Sequence, residues 1–65
     1  MKVLKTAVVL KALLDDGWYI VHQRGSHRQL LHPVKKGKVT LNGKPSSDIW
    51  GGELKSVERQ SGLVF

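Results

Sequence analysis

Glycine-bearing turns at Gly17, Gly25-Ser26, Gly37 and Asn42-Gly43 cut the middle of this chain into short runs. Each run is too short for an ordinary helix of three turns. Residues 18–23 are rich in aromatic and β-branched side chains, which suit a pleated strand. Residues 27–32 form a second run, and Pro33 ends it because proline brings no N–H to a ladder. Residues 38–41 alternate polar and apolar, with Val39 and Leu41 on one face. Three short strands joined by tight turns imply an antiparallel meander.

The flanks read differently. Val9, Leu10 and Leu13 recur at helical spacing, and the pattern predicts a helix over residues 3–15 that stops at Gly17. Residues 42–52 carry Asn42-Gly43, Pro45, two serines and Gly51-Gly52, and read as a loop. A second helix is predicted from Gly52 or Glu53, with Leu54 and Val57 inward and Gly62 as its C-terminal cap. The order is α-β-β-β-α. The fold class is therefore α+β: a three-stranded antiparallel sheet with two helices on one face. The other face is left for a ligand.

Size limits what such a fold can do for itself. The chain has 65 residues and no cysteine, so it is expected to form one domain over residues 1–65, without disulfides or thiolate metal sites. A domain of this size buries only about 60% of its unfolded surface. A partner that binds the folded form therefore adds stability by mass action. Eleven Lys and Arg stand against five Asp and Glu, a formal charge of +6. That excess favours a polyanion partner: nucleic acid, an anionic membrane or an acidic protein. No run approaches the roughly 18 apolar residues of a membrane span, so no membrane partner is expected. With no signal-peptide pattern either, the expectation is a cytoplasmic protein.

The strongest chemical signal is Gln23-Arg24-Gly25-Ser26-His27, followed by Arg28. Histidine is the side chain whose ordinary pKa suits proton transfer near neutral pH. His27 is the candidate general base or acid. Arg24 and Arg28 flank it in sequence as candidate phosphate contacts, and Lys36, in the Lys35-Lys36-Gly37 turn, is a further one. Ser26 is a candidate turn-holding or hydrogen-bonding residue. A base, an adjacent phosphate and nearby cations are the parts that metal-free RNA cleavage requires. His22 can face His27 across the turn or form a cross-strand polar pair. His32, before Pro33, reads as a structural residue. The 22, 27, 32 spacing matches no zinc pattern, so no metal is expected. Trp18 reads as core.

Several ordered motifs carry a family resemblance: Gly17-Trp18, Gln23-Arg24-Gly25-Ser26-His27, His32-Pro33, Lys38-Val39-Thr40, Gly52-Glu53-Leu54-Lys55-Ser56 and Gln60-Ser61-Gly62-Leu63. Together they resemble HicA-type toxins, also called YcfA-like proteins, from Val9 onward. The resemblance implies a double-stranded-RNA-binding-domain-like fold. It implies a ribonuclease that cleaves mRNA, uses the histidine after Gly-Ser (here His27), needs no metal or small-molecule cofactor, and is blocked by a HicB-type antitoxin. The chain departs from the family pattern at Glu53, where threonine is common, at Glu58, where an apolar residue is common, at His22, where arginine is common, at Leu14, where the family is often polar, and in the loop from Asn42 to Ser47, which lacks a histidine that similar proteins often carry. The residues alone also allow a non-catalytic RNA-binding module of the same fold, or a protein-interaction domain.

Overall fold

The structure, a computed structural model, describes residues 2–65. The elements in chain order are β1 (Val3–Lys5), α1 (Thr6–Asp15), β2 (Tyr19–Arg24), β3 (His27–Leu31), β4 (Val39–Leu41), β5 (Asp48–Trp50) and α2 (Gly51–Ser61). Strands β2, β3 and β4 form an antiparallel sheet in that order. The expected α+β class and α-β-β-β-α core order are present. The sequence reading did not foresee the separate two-stranded ribbon made by β1 and β5.

That ribbon shortens the first helix. Residues 3–5, expected to be helical, pair with β5 in the register Val3↔Trp50, Leu4↔Ile49 and Lys5↔Asp48. Helix α1 then starts without a side-chain cap. Helices leave their first N–H groups unsatisfied, and these need acceptors from elsewhere. Here the chain supplies them from afar. Thr6 N–H donates to Ser47 O at 2.8 Å and Ala7 N–H to Pro45 O at 3.0 Å. The buried Thr6 hydroxyl also donates to Ser47 O, at 3.0 Å.

Helix α2 follows its pattern more closely. Leu54, Val57 and Ser61 form its buried stripe, and Glu53 lies in its first turn, where the helix dipole favours a negative charge. Gly62 ends it at φ 76°, a left-handed conformation that glycine adopts without steric cost. Its N–H donates to Glu58 O at 2.8 Å.

One core lies between the helices and one face of the three-stranded sheet. It joins Val9 and Leu13 of α1, Leu30 of β3, Val39 and Leu41 of β4, Ile49 of β5, Leu54 and Val57 of α2, and Trp18. Burying each large aliphatic side chain contributes about 1.5–3 kcal/mol. Trp18 is buried, as its position suggested, with its ring edge-on to His32 at a centroid separation of 5.2 Å.

His32 ties β3 to the end of α1. Its Nε2–H donates to Asp16 O at 2.7 Å, and its Nδ1 accepts from the N–H groups of Val34 and Lys35, each at 3.0 Å. Lys35 completes the knot. Its Nζ lies 2.6 Å from Asp16 Oδ2 and donates to Ser61 O at 3.1 Å. A cation at the C-terminal ends of both helices complements their dipoles. The Lys35 hydrogen bond holds the Asp16 carboxyl below the usual aspartate range, against the opposing effect of partial burial.

Candidate functional site

Strand alternation divides the sheet into two faces. Successive side chains point to opposite sides, and cross-strand partners point to the same side. Leu30, Val39 and Leu41 face the core. The register Gln29↔Thr40 and His22↔Gln29 then puts those three residues on the other face, which no helix covers. Arg24↔His27 makes the next row of that uncovered face, and Tyr19↔Leu31 its far row. Side chains on this face are exposed or half-buried.

His27 is exposed at the first position of β3, directly after the Gly25-Ser26 turn. The turn is held by Gln23 Nε2, which donates to Gly25 O at 3.1 Å. Gly25 sits at φ 60°, where a residue with a Cβ is strained. Arg24 pairs with His27 across the hairpin, so its guanidinium shares the uncovered face. On the other side, the His27 imidazole Nδ1 lies 2.8 Å from Asn42 Oδ1. His22 faces Gln29 rather than His27, so it forms a cross-strand polar pair one row away.

Two of the candidate cations lie away from His27. Arg28 follows His27 in sequence, so alternation turns it to the core face, where it is 4% exposed. Its Nη1 donates to Ser26 O at 3.2 Å and to Gly43 O at 2.9 Å. It meets a cleft lined by Gln23, Gly25, Ser26, Lys44 and Pro45, on the opposite side of the hairpin from His27. In the structure the Arg28 side chain thus clamps backbone carbonyls on the core side of the hairpin and does not stand beside His27. Lys36 is exposed, but it lies in the β3–β4 connection, beyond Leu31. Strand β3 spans roughly 13 Å between His27 and Leu31, so Lys36 belongs to the opposite end of the sheet. Ser26 is half-buried and holds the turn through its carbonyl.

Asn42 is the site residue that sequence reasoning missed. Asn42-Gly43 looks like turn chemistry, and the residue shows its role only once Leu41 is registered against Arg28. Among the described residues no group of three His, Cys, Asp or Glu side chains could hold a metal ion. No helix among them is long and apolar enough to cross a membrane.

The protein is thus a small basic α+β module whose uncovered sheet face carries an exposed histidine between an arginine and an asparagine. A family model described as the HicA toxin of bacterial toxin–antitoxin systems matches residues 8–63. The chain belongs to that family and is thus a toxin of a toxin–antitoxin system. No curated protein matched it.

Proposed function

We propose that this toxin is an endoribonuclease that cleaves mRNA, with His27 as its acid–base group. One observation carries the reading: His27 is exposed on the uncovered sheet face, in register with Arg24. In the proposed reaction the imidazole takes the proton of a ribose 2′-OH. That oxygen attacks the adjacent phosphorus, and the bond to the 5′ oxygen of the next nucleotide breaks. The products are a 2′,3′-cyclic phosphate and a 5′-OH, whose proton comes from solvent or from a second acid. Arg24 stabilises the charge that builds on the phosphoryl oxygens. Ser26 holds the turn that aims His27. The net charge of +6 supports a polyanionic substrate.

The antitoxin in this reading is HicB-type and covers the same face. Exposed Tyr19 and Val21 on β2 give it apolar surface beside the charged rows. Action on mRNA places the protein in the cytoplasm.

The test is a labelled mRNA fragment incubated with the purified toxin in the presence of a chelator. The expected products end in 2′,3′-cyclic phosphate and 5′-hydroxyl. A 2′-deoxy nucleotide at the cut site should block cleavage while leaving binding intact. Cleavage of the deoxy-substituted strand contradicts the mechanism. Tight, salt-sensitive binding with no cleavage of either strand points instead to a non-catalytic RNA-binding module.

A further inference from the structure

The geometry points to Asn42 and Arg28 as the positioning residues of His27, one acting on the ring and the other on the backbone beneath it. The inference rests on the reading of His27 as the reacting group.

An exposed histidine at the end of a strand has two free side-chain torsions and two tautomers. A general base needs its lone pair aimed at the substrate from a fixed ring. The contact of 2.8 Å between His27 Nδ1 and Asn42 Oδ1 supplies both conditions. An amide oxygen only accepts, so Nδ1 must carry the hydrogen. The lone pair is then on Nε2, the ring atom away from Asn42. Second groups that orient an imidazole by its other nitrogen recur wherever histidine acts through one atom.

The pair sits at a weak place in the sheet. The last registered pair of β3 and β4 is Arg28↔Leu41, and His27 and Asn42 lie just beyond it. Strand ends open locally at low free-energy cost. Arg28 counters this. Its Nη1 donates to Ser26 O, the residue before His27, and to Gly43 O, the residue after Asn42. One nitrogen of a largely buried side chain therefore joins the two backbones that carry the pair. Gly43 adopts a backbone φ of 103°, a conformation that a residue with a Cβ reaches only with strain. No carboxylate of a described residue pairs with Arg28. Its side-chain hydrogen bonds among the described residues go to backbone carbonyls.

Two readouts test this, one of which does not need activity. The first is the tautomer of His27, read from ¹⁵N chemical shifts and long-range ¹H–¹⁵N couplings in alkaline solution. The native protein is expected to show Nδ1–H. Asn42→Ala should shift the population toward Nε2–H, and Asn42→Asp, which keeps an acceptor, should restore Nδ1–H. The second is RNA cleavage. Asn42→Ala is expected to lower kcat about tenfold with KM unchanged, part of the 10²–10⁴ that a placed base contributes, and Asn42→Asp to recover most of it.

Arg28→Met separates positioning from phosphate contact. Positioning lowers kcat and leaves affinity for 2′-deoxy-substituted RNA unchanged. A phosphate contact weakens that affinity and reduces the salt slope by about one, which contradicts the Arg28 assignment. If Arg28→Met does not fold, Arg28→Lys takes its place with the same two readouts, while the Asn42 variants decide the ring contact. An Nε2–H tautomer in the native protein, or Asn42→Ala equal to it in tautomer and kcat, overturns the inference. A native protein with the Nδ1–H tautomer but no cleavage supports the positioning and counts against the nuclease reading alone.

Discussion

His32 Nε2 donates to the carbonyl oxygen of Asp16 across 2.7 Å, joining the end of β3 to the end of α1. With Nδ1 accepting from Val34 and Lys35, both ring nitrogens are committed to backbone groups. This histidine is a structural bolt, whereas His27 leaves one nitrogen free. His32→Ala deletes three hydrogen bonds at a half-buried position and is expected to cost about 2 kcal/mol or more. Urea unfolding measures that loss. Activity per folded molecule should stay at the native level, and a large loss of activity in the folded variant would mean that the chemistry reaches beyond the His27 row.

Gly17 lies against the same ring. A Cβ there would stand 2.8 Å from His32 Nε2, and the backbone φ is 104°. Gly17→Ala combines backbone strain with a clash against an imidazole held by three hydrogen bonds. The expected destabilisation is about 1–3 kcal/mol. Thermal unfolding checks it, and a variant as stable as the native protein would contradict the close approach.

The Asp16–Lys35 pair sets an acid limit. The Lys35 hydrogen bond lowers the folded-state pKa of Asp16 below its unfolded value. The folded state therefore holds fewer protons on this group, and its contribution is fully present above the unfolded value. It is lost as pH falls through the folded one, below about pH 4. At neutral pH the native protein should be more stable than Asp16→Asn, and the gap should close on acidification. Denaturant unfolding of both proteins across that range tests it. A gap that does not change with pH would show that the ionic contact contributes nothing.

Much of this architecture is legible along the chain, and particular residues show where legibility ends. The β2–β3 hairpin is readable because Gly25-Ser26 separates two β-rich runs, and the α2 C-terminus because Gly62 follows an apolar stripe. Strands β1 and β5 are not readable. Each has three residues, too few for a period to register, and their pairing joins segments separated by most of the chain. The start of α1 depends on carbonyls of Pro45 and Ser47, which no local cap announces.

The candidate site divides along the same line. His27 and Arg24 can be singled out as candidates from the turn and its charge. Adjacency in sequence does not put Arg28 beside His27, because alternation sends residues 27 and 28 to opposite faces. Asn42 requires the β3–β4 register, which the intervening loop does not encode.

The central claim is that His27 performs proton transfer in RNA cleavage, and His27→Ala tests it most directly. The side chain is exposed, so removing it should leave the fold intact, as amide NMR spectra of both proteins would show. With chelator present, the native toxin is expected to cut mRNA and the variant to be slower by at least about a hundredfold. A folded His27→Ala protein that cleaves at the native rate would contradict the account.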